Sequence, residues 1–186
     1  NNTKLKYKTP SKIIKMEEEE LENISLNEKY LIKGRVIHKI LELITRIKDT
    51  NKQKEFIKQY LKSINNLLKK EEAKKIYNSL IKLIEDPKLH KFIFMPYSEV
   101  SIISLESEGI KNILINGRID KLYIGDNYIY IIDYKTNINP PKDPSLIEKS
   151  YREQLNNYGS IIQKIFPNKN IKLGIIWTET QTYMEI

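Results

Sequence analysis

Two apolar runs, 111–124 and 128–135, flank Gly125-Asp126-Asn127, and each carries an aspartate. The second run, Tyr128-Ile129-Tyr130-Ile131-Ile132-Asp133-Tyr134-Lys135, is almost wholly β-branched or aromatic, the composition that a half-buried strand favours. Reading Asp126-Asn127 as a two-residue hairpin turn pairs Gly125 with Tyr128 and, counting back, Asp120 with Asp133. Directly opposed side chains share a face, with β-carbons about 4.5–5.5 Å apart. Lys135 lies two residues beyond Asp133 and joins that face. A slip of one residue would split the set.

Two carboxylates facing each other between apolar strands raise each other's pKa or require a cation. Lys135 offsets one charge. A divalent oxygen-seeking metal offsets both, and Mg²⁺ suits a site of few carboxylates, water and phosphate oxygens. A lysine beside that metal could hold or deprotonate an attacking water, which together makes a phosphodiester hydrolysis site. The residues alone leave open a plain buried ion pair between Lys135 and one aspartate. The triplet also occurs as Glu72-Ala73-Lys74 and Asp86-Pro87-Lys88, but only at Asp133-Tyr134-Lys135 does it sit on a strand with an upstream acid in register.

The rest of the chain frames this hairpin. Residues 1–24 have no period and run from a basic stretch into the acids 17–20, which reads as a solvated linker. Ser25 and Glu28 have capping-box spacing ahead of a helix expected over 27–48, with Leu31, Ile37, Ile40, Leu41, Ile44 and Ile47 inward. Helices are expected over 52–69 and 71–85, the latter ending before Pro87. Their many lysines suggest a solvated helical insertion. A strand follows over 97–105 and a turn at Gly109. Ser145 and Glu148 give a second capping box for a helix running to about 166, and 171–178 with 182–186 reads as a final hairpin. The order implies an α+β or mixed α/β layer architecture without internal repeat.

Composition excludes whole classes of function. With no cysteine, disulfide frameworks, thiolate zinc sites, iron–sulfur clusters and cysteine nucleophiles all drop out. No apolar run approaches the roughly 20 residues that span a bilayer. The net charge of +8 suits a polyanionic partner. Asn1 at the start and Ile186 inside an apolar–polar alternation read as a piece of a longer polypeptide.

Four further features share the chain with the hairpin. Gly34 precedes His38 by one helical turn, where glycine hints at close backbone approach. His38 could be a metal ligand or an ordinary half-buried helix histidine. Gln154 and Tyr158 share one helix face at i, i+4, and Glu99 falls in the strand over 97–105. Taken in order, Gly34-x-x-x-His38, Glu99, Asp120, Asp133-Tyr134-Lys135 and Gln154-x-x-x-Tyr158 resemble the motifs of RecB-type nuclease domains of the PD-(D/E)xK superfamily. Within it the chain is most similar to the C-terminal nuclease domain of AddA, the helicase–nuclease subunit of AddAB. The features behind that finer resemblance are the short Asp133–Tyr151 spacing, Asp133-Tyr134-Lys135-Thr136-Asn137 and the late Trp177-Thr178-Glu179.

The resemblance implies a restriction-endonuclease-like α/β (α+β) fold, with a mixed central sheet flanked by helices and a helical insertion. It implies a nuclease domain over 25–186 behind a linker, 1–24, from a helicase region. His38, Asp120, Asp133 and the Tyr134 carbonyl would hold Mg²⁺, with Mn²⁺ as a substitute. Lys135 would position and activate water, Glu99 would assist the metal, and Gln154, Tyr158 and Gly34 would orient the DNA strand and the lysine. The implied activity is cytoplasmic DNA exonuclease chemistry in double-strand-break repair by recombination. Its implied partners are single-stranded DNA ends, helicase domains of the same polypeptide and an AddB-like subunit, with no membrane. ATP would serve only the helicase, since no phosphate loop occurs here. The competing expectations are a non-catalytic DNA-binding or docking module on a nuclease-like scaffold, and a stand-alone nuclease of the same superfamily.

Overall fold

A computed structural model describes residues 26–108 and 111–186. Ser25, Gly109 and the linker segment fall outside the described residues. Four helices come first: α1 Leu26–Ile44, α2 Thr50–Ser63, α3 Lys70–Glu85 and the short α4 His90–Ile93. The strands β1 Tyr97–Glu108, β2 Lys111–Ile124 and β3 Tyr128–Lys135 follow, then a 3₁₀ turn at Pro144–Leu146, α5 Lys149–Ile165, β4 Asn170–Trp177 and β5 Thr182–Glu185.

The strands form one sheet in the order β1-β2-β3-β4-β5. All pairs are antiparallel except β3 with β4, which α5 connects as a crossover. Gly125 N–H donates to Tyr128 O at 2.9 Å, and the β2–β3 ladder runs to Lys121 opposite Ile132. The expected register holds over that span; beyond it the strands no longer pair, and Asp120 accepts from Tyr134 N at 2.7 Å instead. Lys169 clamps the turn from outside, donating to Gly125 O at 2.6 Å and Asp126 O at 2.7 Å.

Each sheet face carries a core. On one, Ile37, Ile40, Leu41 and Ile44 of α1 pack with Ile57, Leu61, Ile76, Leu80 and Leu83 against Ile132, Tyr134 and Ile176. On the other, Leu155, Tyr158, Ile161 and Ile162 of α5 pack against Ile131, Ile175 and Trp177. The helices expected as an insertion therefore form the covering layer of one face, with their lysines on its outside. Ser79 of α3 also donates to Thr178 O at 2.7 Å, tying that layer to the end of β4.

Three local expectations are corrected. Leu31 is 59% exposed, and it is its neighbour Ile32 that turns to the core. That helix stops at Ile44 rather than 48, since Asp49 adopts extended backbone and caps α2, accepting from Lys52 N at 2.8 Å. The Ser145/Glu148 capping box does not form. Asp143 accepts from both Ser145 N (2.7 Å) and Ser145 Oγ (2.6 Å), capping the 3₁₀ turn, and α5 begins without a side-chain cap.

Candidate metal-dependent nuclease site

The site forms where α1 crosses the C-terminal end of β3. Gly34 faces Thr136 there, but a β-carbon on it would sit 3.5 Å from Thr136 Oγ1, an ordinary contact rather than one only glycine allows. One turn later His38 Nδ1 lies 3.1 Å from Asp120 Oδ1. The other Asp120 oxygen accepts from Tyr134 N at 2.7 Å, which fixes the carboxylate against β3. Tyr134 is thus seen to engage the site through its N–H.

Glu99 completes a group. Ligand atoms of His38, Glu99 and Asp120 lie within 4.8 Å of one another. Glu99 has φ 53°, in the left-handed region that a glutamate adopts only at a cost of about 1–3 kcal/mol. Across from it the pleat of β2 is interrupted. Ile119 and Leu122 would face opposite ways in a regular strand, yet both enter the core under α5. Arg118 reaches back to Glu99 with Nη1 at 3.1 Å from Oε2.

Asp133 is buried beside this group, and Lys135 Nζ stands 2.8 Å from its Oδ2. That contact is an ion pair; Oδ2 has no directed hydrogen-bond donor. Lys135 Nζ donates to Gln154 Oε1 at 3.0 Å, and Gln154 Nε2 donates to Tyr158 Oη at 3.1 Å. Gly117 leaves the space that the Tyr158 ring fills, for a β-carbon there would lie 2.5 Å from Tyr158 Cε1. Arg118 N–H points at the same hydroxyl from 3.4 Å. Thr178 N anchors the Lys135 carbonyl at 2.9 Å.

A family model described as the PD-(D/E)XK nuclease superfamily matches residues 11–183. The chain belongs to that superfamily. A comparison with curated proteins finds no match. Members of the superfamily are generally metal-dependent nucleases, and its α+β fold with a mixed sheet and flanking helices is the architecture seen here.

The electrostatics of this superfamily site fit a divalent cation. Burial pushes Glu99 above the usual carboxylate range, and Asp120 adds to it against the opposing pull of Arg118. Burial also lifts Asp133 to about 6, with Asp120 adding repulsion and Lys135 pulling back. Burial alone would lower His38, but the Asp120 charge outweighs it, and the imidazole rises to about 9. Lys135 is likewise held charged, burial opposing and Asp133 prevailing. Acids that resist ionisation and an imidazole that holds its proton mark a surplus of negative charge. His38, Glu99, Asp120 and Asp133 are oxygen and nitrogen donors of the kind that hold Mg²⁺ or Mn²⁺.

The structure brings His38, Glu99 and Asp120 into one group, and Asp133, Lys135, Gln154 and Tyr158 into a second, adjacent chain of contacts. Sequence reasoning gave Arg118 no role and used Tyr151 only for its spacing from Asp133. Tyr151 was within reach of the i, i+3 rule, since it shares the α5 face of Gln154 and Tyr158. Arg118 was signalled only by its place in Gly117-Arg118-Ile119-Asp120.

Among the described residues, no helix is long and apolar enough to cross a membrane.

Proposed function

We propose that this chain is the Mg²⁺-dependent DNA exonuclease domain, residues 25–186, of an AddA-like ATP-dependent helicase–nuclease acting in double-strand-break repair. The observation that supports it best is the chain Asp133–Lys135–Gln154–Tyr158, lying beside His38, Glu99 and Asp120. The AddA-like placement rests on the resemblance of its motifs. That placement carries with it upstream helicase domains joined through residues 1–24, an AddB-like subunit, single-stranded DNA ends as substrate and a cytoplasmic location.

In this reading His38, Asp120, Asp133 and the Tyr134 carbonyl hold the metal, with Glu99 assisting. When bound, Mg²⁺ supplies Lewis-acid polarisation of the phosphate and lowers the pKa of a bound water. Asp120 is preset by Tyr134 N on one oxygen, and the other, which faces His38 Nδ1 at 3.1 Å, would turn to the metal. His38 gives up its proton before it ligates. Lys135, charged at rest, would donate to the attacking water and to the phosphate charge that develops, while the proton that water loses on attack passes to bulk solvent. Gln154 keeps the ammonium aimed, and Tyr158 keeps Gln154 in place.

The exonuclease claim is tested with 5′- and 3′-labelled linear single-stranded DNA against a covalently closed circle, each with Mg²⁺ or EDTA. Linear strands should shorten from an end while the circle survives. Equal attack on the circle would contradict the exonuclease assignment and leave an endonuclease of the same superfamily.

A further inference from the structure

Lys135 has a third neighbour besides Asp133 and Gln154. Its Nζ stands 4.3 Å from the centroid of the Tyr151 ring. That is well inside the roughly 6 Å over which an ammonium is attracted to an aromatic face. The ring itself is held at both ends. Its hydroxyl exchanges hydrogen bonds with the Asn137 side-chain amide at 3.3 Å, and the buried Trp177 lies 6.2 Å away, centroid to centroid. With its hydroxyl committed to Asn137, Tyr151 offers Lys135 only its face.

We propose that Tyr151 is a positioning residue for Lys135, acting through the negative face of its ring rather than through its hydroxyl. The inference rests on the nuclease reading above, and it adds a residue that the motifs did not include. A lysine has four flexible side-chain bonds, and only a directed neighbour keeps its head in one place. Two of the three neighbours here are anionic or polar and belong to groups with other tasks. Asp133 is also offered to the metal, and once its charge is shared its hold on the ammonium weakens. Gln154 is neutral and gives the ammonium a single hydrogen bond. The Tyr151 ring is unaffected by such sharing and keeps the ammonium over the same spot. Its place on α5, three residues before Gln154, puts both holds on one rigid element.

The test has one arm independent of catalysis. In protein labelled with ¹³C-lysine, the ε-protons of Lys135, assigned with Lys135→Arg, should lie upfield of the other lysines through the Tyr151 ring current. Tyr151→Phe should keep that displacement and Tyr151→Leu should abolish it. A Lys135 signal among the other lysines in the wild type, or one unmoved by Tyr151→Leu, overturns the proposal. In the kinetic arm, Tyr151→Leu should lower kcat about tenfold with KM for DNA held, the scale of a partly desolvated cation–ring contact. Tyr151→Phe should recover most of that loss. Equal losses in both variants would assign the effect to the hydroxyl and Asn137 and overturn the ring's role. Wild-type protein that never cuts DNA would contradict the nuclease reading, while the spectra would still decide the Tyr151 contact.

Discussion

Replacing Asp120 by asparagine should move the titration of His38 far more than it moves the fold. The asparagine oxygen can still accept from Tyr134 N, now at 2.7 Å from Oδ2, and its amide can donate to a neutral Nδ1 now 3.1 Å from Oδ1. What disappears is the charge. Lifting an imidazole from 6.5 to about 9 corresponds to about 3 kcal/mol of preference for the charged ring. Burial opposes that rise and Asp133 and Glu99 support it less than Asp120 does, so without the Asp120 charge His38 should titrate well below 9. The sign for stability follows. A raised histidine contributes fully below about pH 6.5 and loses its contribution as pH climbs through about 9. Asp120→Asn should therefore lower stability at pH 6 and flatten the decline between pH 6.5 and 9. The chain has only two histidines, so proton NMR of the ring resonances, with His90→Asn for assignment, reads the change directly. A wild-type His38 that titrates near 6.5, or one unmoved by the substitution, would refute the reasoning.

Three further outcomes follow from single side chains. Gly117→Ala drives a β-carbon to 2.5 Å from the Tyr158 ring and should cost about 1–3 kcal/mol by overpacking; in a Tyr158→Ala background urea unfolding should find most of that cost gone. Lys121 is fully buried with Ser98 Oγ at 2.6 Å as its hydrogen-bond partner, and burial lowers it to about 7. Its neutral form is favoured, so its share of stability is complete above about pH 10.5 and is lost as pH falls through about 7. Lys121→Met should be more stable than wild type at pH 6.5 by an amount on the order of 2–4 kcal/mol, discounted for the unpaired serine, and the gap should close by pH 10; denaturation curves showing no narrowing would count against it. Gln154→Leu should keep the fold and metal affinity while lowering kcat, because Lys135 loses its 3.0 Å acceptor; calorimetry with Mg²⁺ beside single-turnover cleavage checks the split.

What the sequence made legible was whatever a short-range rule dictates. A two-residue turn leaves one register, so the β2–β3 pairing as far as Lys121 and Ile132 followed from counting. Gln154 and Tyr158 followed from helical spacing. The unread parts depend on contacts distant in the chain. Nothing local tells Glu99 to adopt φ 53°, at the one position where the β1–β2 pairing between Tyr97 and Glu108 is interrupted. The capping of α5 was misread because Asp143, two residues before Ser145, competes for the same amide and takes the serine hydroxyl as well. The apolar stripes of α2 and α3 followed from helical spacing, but that they cover a face of the sheet, rather than forming a solvated insertion, depends on contacts far apart in the chain. Tyr151 was visible on its helix, but its task was not, since the lysine it faces comes from another element.

The central claim is that the carboxylates and Lys135 at the end of β3 cut DNA with the help of a divalent metal. End-labelled single-stranded DNA incubated with the protein in Mg²⁺, Mn²⁺ or EDTA, alongside Asp133→Ala, tests it most directly. The account predicts cleavage with either metal, none with EDTA, and none from a folded Asp133→Ala variant. Cleavage that persists undiminished in that variant would contradict it.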